Sequence, residues 1–289
     1  MAAPISIQNL SNPISPTPES AALEKETRLI ASLGQLDSVL VAFSGGADSA
    51  YLAWAAHSAI GDRALAITAL SASFSSHDRG QAEQFVRATG IRHEFICTSE
   101  FDNPLYVANN ADRCYFCKDE LFERMEAVAR EKSFHAIAYG VNADDTRDFR
   151  PGHRAAYEHR VLAPLLDAGL HKDEIRLLSC RAGLQTWDRP ASACLSSRVP
   201  YGTPVTPELL RKIEEGEAAL RELGFRQFRV RAHGELARIE LAPEEFARGL
   251  SPDLARQIAA RLKAVGFAFV ALDLEGYRQG SLNSLLKSK

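Results

Sequence analysis

Short apolar segments alternate with amphipathic stretches along most of the chain. Apolar segments typical of buried strands cover residues 38–43, 63–70, 93–98, 135–140 and 160–166. Helical periodicity covers residues 19–33, 48–60, 76–89, 117–132 and 172–182. Strands that alternate with helices in this way predict an α/β fold, in which helices cover both faces of a parallel sheet.

The pattern changes in the last third of the chain. Thr206 and Pro207 have the residue types of an N-cap and a first helical residue, and Gly224 is a typical helix end. Apolar and polar residues then alternate on both sides of His233-Gly234, which predicts a β-hairpin. A further helix and a last strand follow, so this region is predicted to be a small α+β domain.

The length of 289 residues allows two domains of ordinary size. We predict a disordered lead-in over residues 1–18, an α/β domain over residues 19–200 and the α+β domain over residues 201–289. Hydrophobic residues make up 46% of the chain and charged residues 25%, which is usual for a soluble globular protein.

Charge and cysteine content narrow the possible partners and compartments. The formal net charge of −3 does not favour a nucleic-acid partner, and no apolar stretch is long enough to span a membrane. The beginning of the sequence lacks the apolar block of a signal peptide. The five cysteines are an odd number and are expected to be reduced, so we expect a cytoplasmic protein.

A glycine-rich turn, S-G-G-A-D-S from Ser44 to Ser49, joins the first strand to the next helix. Gly45 and Gly46 let backbone amides at the helix N-terminus approach an anion such as phosphate. The two serine hydroxyls can donate hydrogen bonds to the same anion. Asp48 repels phosphate, so it is predicted either to act through Mg²⁺ or to cap the turn. The alternative is a tight turn without a ligand.

Two later segments carry further polar candidates. Asn142 and Asp145 follow a strand, at the edge where open α/β sheets bind ligands, and they either contact ATP or Mg²⁺ or cap the next helix. Lys172 and Arg176 are predicted either to assist electrostatically or to lie on a solvated helix face.

Three cysteines are candidate sulfur or metal sites. Cys114 and Cys117 form a C-x-x-C at the start of a helix, and Cys194 lies in a later loop. The helix N-terminus and the nearby Arg113 and Arg198 stabilise thiolates. Three thiolates can hold three irons of a [4Fe–4S] cluster and leave the fourth iron open for a transferable sulfide. Zinc with a fourth ligand, or three ordinary semi-buried cysteines, are the alternatives.

Other residues receive simpler predictions. Cys97 and Cys180 are expected to be core residues. On the hairpin, Arg229 and Arg231 share one strand face, with Glu240 near them on the returning strand. That face is either a solvated face with cross-strand ion pairs or an anion site.

The glycine turn resembles the PP-loop of the ATP pyrophosphatase superfamily. Together with C-Y-F-C-K, G-V-N-A-D-D and P-A-S-A-C-L-S-S-R, it resembles the LarE family over nearly the whole chain from about Glu19. The resemblance implies an ATP-dependent sulfur transferase for the nickel-pincer cofactor of lactate racemase. Its substrate would be pyridinium-3,5-biscarboxylic acid mononucleotide, whose carboxylates are adenylated and then converted to thiocarboxylates.

The family has two sulfur chemistries. Some members sacrifice the sulfur of the cysteine that matches Cys194 and are left with dehydroalanine. Others add a C-x-x-C and bind a [4Fe–4S] cluster. Because Cys114 and Cys117 are present, this chain resembles the second type. The resemblance thus implies a cluster on these three cysteines, a sulfide donor as a partner and a homo-oligomer.

The resemblance also assigns roles to individual residues. It implies that ATP and Mg²⁺ bind at Ser44, Gly45, Gly46, Asp48, Ser49, Asn142 and Asp145. Asp48, Cys194 and Arg198 would be catalytic, with Arg198 neutralising charge on phosphate. The substrate phosphate or a metal would bind at Arg229, Arg231, Glu217 and Glu240. Rival interpretations are a tRNA thiolase, an amidating PP-loop ligase and a degenerate nucleotide sensor.

Overall fold

The computed structural model describes residues 17–147, 151–190, 193–278 and 281–282, with the backbone alone at residues 146 and 147. The helices in these ranges are α1 (Pro18–Gly34), α2 (Ala47–Ile60), α3 (Ser76–Thr89), α4 (Pro104–Val107), α5 (Arg113–Lys132), α6 (Pro151–Glu158), α7 (Pro164–Asp167), α8 (Lys172–Arg181), α9 (Pro207–Glu222), α10 (Pro243–Gly249) and α11 (Pro252–Ala264). The strands are β1 (Val39–Ala42), β2 (Ala64–Leu70), β3 (His93–Cys97), β4 (Ala136–Tyr139), β5 (Phe228–His233), β6 (Leu236–Leu241) and β7 (Phe269–Leu272). None of the helices described is long and apolar enough to cross a membrane.

A parallel sheet forms the centre of the larger unit, with the order β3-β2-β1-β4 in the described part of the chain. Because side chains alternate along a strand, Val39 and Val41 of β1 pack in one core cluster with α1, α2 and α8. Leu40 packs on the opposite face with Phe122 and Met125 of α5. Both faces are covered, as buried parallel strands require, and the predicted α/β fold is confirmed.

A second sheet of order β5-β6-β7 forms the smaller unit. β5 and β6 are antiparallel and pair Arg229 with Glu240 and Arg231 with Arg238. The turn between them contains Gly234, whose φ of 59° lies in the left-handed region that favours glycine. β7 joins β6 in parallel. The predicted hairpin and small α+β unit are therefore confirmed.

The prediction of a strand over residues 160–166 is wrong. Leu162 forms only an isolated bridge with Ala138 of β4. The chain then enters the short helix α7 at Pro164. Proline has no N–H for a strand ladder but suits the first turn of a helix, and this explains why the apolar run does not continue as a strand.

The C-x-x-C lies at the start of a helix, as predicted, but two other cysteines differ from expectation in their placement. The helix predicted to start at Cys117 begins at Arg113, so Cys114 and Cys117 both lie near the start of α5. Cys97 and Cys180 are exposed, so the prediction that they are core residues is wrong. Cys97 is the last residue of the edge strand β3, and Cys180 lies near the end of α8. Neighbouring elements cover a sheet edge and a helix end less completely than the sheet centre.

Candidate active site

The S-G-G-A-D-S turn, called the PP-loop below, joins β1 to α2 at the carboxyl edge of the parallel sheet. Gly45 has φ of 74°, which favours glycine. Gly46 is the N-cap of α2, and no side chain of the described residues caps that helix. The first amides of α2 are therefore available to an anion. The hydroxyl oxygens of Ser44 and Ser49 lie 3.1 Å apart beside them.

The segment after β4 packs directly on the PP-loop. A Cβ at Gly140 would lie 2.8 Å from the backbone nitrogen of Ser49, so any larger residue would displace the loop. Asn142 Oδ1 accepts a hydrogen bond from the amide of Asp144 at 2.9 Å, and Asp145 Oδ2 accepts one from the amide of Asn142 at 3.2 Å. These bonds fit the capping alternative for Asn142 and Asp145, whose contact with ATP or Mg²⁺ stays a prediction.

Asp48 of the PP-loop pairs with a lysine from a distant helix. Lys172 Nζ, at the start of α8, lies 2.5 Å from Asp48 Oδ2. The other carboxylate oxygen, Oδ1, is buried and has no hydrogen-bond partner among the described residues. Lys172 therefore lies at the PP-loop rather than on a solvated helix face. The unpartnered oxygen has the chemistry of a magnesium ligand.

Arg189 is a residue at the PP-loop that the sequence analysis missed. Its Nη1 donates to the carbonyl of Gly45 at 2.7 Å, and its Nη2 donates to Asp78 Oδ1 at 2.7 Å. Arg176 Nη2 donates to the backbone carbonyl of Arg189 at 3.0 Å. Arg176, like Lys172 on the same helix, therefore lies near the PP-loop. The available signal was the position of Arg189 just before the P-A-S-A-C-L-S-S-R motif.

The three candidate cysteines gather around the buried side chain of Arg113. Arg113 Nη1 donates to the carbonyl of Ser196 at 2.8 Å, and Nη2 lies 3.9 Å from Cys114 Sγ. Burial raises the pKa of the Cys117 thiol, and negative charge on Cys194, Glu100 and Cys114 raises it further. Burial alone would lower the pKa of Arg113, but Cys194 and Cys114 outweigh it and raise that pKa. The thiols are thus close enough to act on one another and on one cation.

The donor chemistry of this group fits an iron–sulfur cluster. Within the described ranges, no three His, Cys, Asp or Glu side chains form a group that would hold a metal ion. In a [4Fe–4S] cluster each cysteine binds a different iron, so the thiolates need not converge on a single ion. Soft thiolates are also the ligands that such clusters prefer.

A buried ion pair fixes the loop that carries Cys194. Arg198 Nε and Nη2 donate to the two oxygens of Glu217 at 2.8 and 3.1 Å, and Nη1 donates to the carbonyl of Cys194 at 3.1 Å. The amide of Leu195 donates to the carbonyl of Ser73 at 2.9 Å. Burial would raise the pKa of Glu217, but Arg198 outweighs it and lowers that pKa. Arg198 therefore positions the loop, and its action on phosphate stays a prediction.

The polar face of the hairpin is largely buried rather than solvated. Glu240 is 0% exposed and lies 2.7 Å from Arg231 Nη2 and 3.3 Å from Arg238 Nη2. Arg231 Nη1 also donates to the carbonyl of Ser197 at 2.8 Å. Arg229 instead lines a cavity. These contacts leave Arg229 the more accessible of the two predicted phosphate ligands.

The cavity of about 890 Å³ lies between α3, the segment 182–190 and the elements α9 and β5. Its charged lining residues are Asp78, Asp188, Arg189, Arg198, Glu217, Arg221, Arg226 and Arg229. The excess of arginines attracts anionic groups. Because Arg189 also contacts Gly45, the cavity adjoins the PP-loop.

Glu217→Gln is expected to lower the free energy of unfolding by about 3–5 kcal/mol, because it leaves Arg198 buried without its carboxylate. The pKa of Glu217 is lowered in the folded state. The stabilisation from Glu217 is therefore present above the pKa that its carboxyl has in the unfolded chain. It is lost as the pH falls through the pKa that the carboxyl has in the folded protein. Urea unfolding between neutral and acid pH measures both effects. In the variant, the free energy of unfolding should fall less at acid pH than in the wild type, because the contribution of Glu217 is already absent.

Glu215→Gln is the matched control on the same helix. Glu215 pairs with Arg211 at 2.6 Å, but both side chains are exposed. Its replacement should change the free energy of unfolding by less than about 1 kcal/mol. Equal unfolding midpoints for the two variants would contradict the importance of the buried pair.

No protein-family model matches the chain, but its sequence is similar to those of known proteins. A protein of Lactiplantibacillus plantarum named pyridinium-3,5-bisthiocarboxylic acid mononucleotide synthase is 32% identical over 263 residues, which cover 91% of this chain and 95% of that protein. An uncharacterized protein of Synechocystis is 42% identical over 253 residues, with 88% and 94% covered. An uncharacterized protein of Methanocaldococcus jannaschii is 30% identical over 172 residues, with 60% and 66% covered.

Proposed function

The chain belongs to the family of pyridinium-3,5-bisthiocarboxylic acid mononucleotide synthase, and on that premise we propose that it is an ATP-dependent sulfur transferase. It converts the carboxylates of pyridinium-3,5-biscarboxylic acid mononucleotide to thiocarboxylates for the nickel-pincer cofactor of lactate racemase. One observation carries this proposal. The PP-loop, whose helix α2 has no side-chain cap among the described residues, and the three-cysteine group lie at the same carboxyl edge of one sheet.

The PP-loop is proposed to bind the phosphates of ATP. Its amides and the hydroxyls of Ser44 and Ser49 hold the β and γ phosphates, as helix N-termini hold anions. The buried, unpartnered Oδ1 of Asp48 is suited to Mg²⁺, which would offset the charge of the phosphates. Lys172 then leaves Asp48 and contacts the negatively charged phosphates of the bound nucleotide.

The cavity is proposed to bind the mononucleotide substrate. A substrate with one phosphate and two carboxylates carries several negative charges, which the arginine-rich lining attracts. Arg229 and Arg221 are suited to the phosphate because guanidinium groups donate paired hydrogen bonds. A carboxylate oxygen attacks the α-phosphorus of ATP, a new C–O–P linkage forms, and the bond to the leaving pyrophosphate breaks.

Sulfur transfer is assigned to the cysteine group. Cys114, Cys117 and Cys194 would hold a [4Fe–4S] cluster, which supplies a transferable sulfur when bound. Arg113 offsets the negative charge of the thiolates. Attack of sulfur at the adenylated carbonyl carbon expels AMP and leaves the thiocarboxylate. In the alternative chemistry, the Cys194 thiolate attacks the adenylated carbonyl carbon, AMP leaves, and a thioester forms. Loss of the Cα proton of Cys194 to a base then breaks the Cβ–S bond, which releases the thiocarboxylate and leaves dehydroalanine.

Anaerobic purification followed by turnover assays tests this proposal. With Mg–ATP, the substrate and a sulfide donor, we expect iron and labile sulfide in the protein and more than one thiocarboxylate per chain. Loss of the mass of H₂S from Cys194, with at most one thiocarboxylate per chain, would instead assign the sacrificial chemistry. Absence of any thiocarboxylate would contradict the proposed function.

A further inference from the structure

Arg189 links the PP-loop to the cavity through a defined set of bonds. Its guanidinium donates to the carbonyl of Gly45 and to Asp78, both at 2.7 Å. Its own backbone carbonyl is held by Arg176 of α8 at 3.0 Å. A Cβ at Gly45 would lie 3.3 Å from Arg189 Nη1, so the guanidinium is packed against the loop. The side chain is therefore fixed at both ends.

The charge of Arg189 is partly removed from water. The Arg189 and Asp78 side chains are 13% and 16% exposed. Burial lowers the pKa of Arg189, and Asp78 opposes that change. Since a partly desolvated guanidinium interacts strongly with multiply charged anions, pyrophosphate bound in the PP-loop would compete with Asp78 for it.

We propose that Arg189 is a positioning residue for the pyrophosphate part of the nucleotide. It holds Gly45 in the conformation that opens the loop amides to the anion, and it adds a positive charge where the loop meets the cavity. This inference rests on the proposed function, because it takes the PP-loop to be the pyrophosphate site. It goes beyond that function by adding a contact from the segment that precedes Cys194.

Calorimetric titration of the full-length protein with Mg–pyrophosphate, without the carboxylate substrate, tests the inference. Arg189→Gln is expected to weaken binding about tenfold or more, which is the loss typical of one charged hydrogen-bonding contact. Arg189→Lys keeps the charge but not both bonds, so its affinity should lie between those of Arg189→Gln and the wild type. Asp78→Asn keeps an acceptor and removes a competing negative charge, so its affinity should equal or exceed that of the wild type.

Arg63→Gln is the matched control. Arg63 also donates to backbone carbonyls, those of Leu36 and Asp37, but it lies at the opposite edge of the sheet. Its Mg–pyrophosphate affinity should equal that of the wild type. Thermal unfolding of each variant identifies any that fails to fold. If Arg189→Gln does not fold, the affinities of Arg189→Lys and Asp78→Asn for Mg–pyrophosphate test the inference.

Three results would overturn the inference. Wild-type affinity in Arg189→Gln would show that the residue does not act on the anion. Equal weakening in Arg189→Gln and Asp78→Asn would show that the ion pair is only a structural clamp. A wild-type protein that does not bind Mg–pyrophosphate would overturn the PP-loop assignment itself, and with it the proposed function.

Discussion

Asp48→Ala is expected to lower the rate of AMP formation by at least about 10²- to 10³-fold, the loss typical of removing one charge-stabilising contact from a transition state. The reason is the buried oxygen Oδ1, which has no hydrogen-bond partner among the described residues and is suited to bind Mg²⁺ at the phosphates. Quenched assays of AMP and pyrophosphate with saturating Mg–ATP and the dicarboxylate substrate measure the effect.

The ion pair between Asp48 and Lys172 offers a competing explanation, which a double variant separates. If Asp48 acted only by neutralising the charge of Lys172, removing both partners in Asp48→Ala/Lys172→Met would restore the rate. We expect the double variant to stay inactive. Lys25→Met is the matched control, because Lys25 forms a similar half-buried pair with Glu174 on α8. It should form AMP at the wild-type rate, and restored activity in the double variant would contradict the magnesium role.

Cys194→Ala is expected to abolish thiocarboxylate formation and to leave substrate-dependent pyrophosphate release, the product of adenylation, measurable. The proposed function requires Cys194 in both sulfur chemistries and assigns adenylation to the PP-loop. Mass spectrometry of the product and a pyrophosphate assay on the same sample separate the two steps. A variant that still forms thiocarboxylate would contradict the assignment, and loss of pyrophosphate release as well would count against separate roles.

Cys114→Ala distinguishes the two sulfur chemistries. If three cysteines hold a cluster, this variant should lose iron and repeated turnover but keep adenylation. If Cys194 is sacrificed, it should still yield one thiocarboxylate per chain. Cys97→Ala and Cys180→Ala are matched controls, because both thiols are exposed and lie outside the cysteine group. Both controls should keep the iron content and turnover of the wild type.

Local features of the sequence predicted much of the fold. The β1–PP-loop–α2 unit follows from an apolar run, two glycines and a helical pattern that are adjacent in the chain. Thr206, the predicted N-cap of α9, accepts a hydrogen bond from the amide of Leu209. The hairpin around Gly234 is likewise a local signal. Such features need no knowledge of distant contacts.

The contacts that give the site its chemistry depend on distant residues. Lys172 reaches Asp48 across 124 positions, and Arg189 reaches Gly45 across 144. A helix pattern alone does not distinguish a solvated lysine from one that packs against a loop elsewhere in the chain. The burial of Glu240 was missed for a related reason. Period-two alternation indicates that a residue shares a face, but it does not show whether another element covers that face.

Transfer of ¹⁸O from substrate to AMP tests the central claim, adenylation of a carboxylate, most directly. The substrate is prepared with ¹⁸O in both carboxylates and turned over with Mg–ATP and a sulfide donor. Attack of the carboxylate on the α-phosphorus predicts that each AMP carries one ¹⁸O atom. Unlabelled AMP, or ADP as the nucleotide product, would contradict the account.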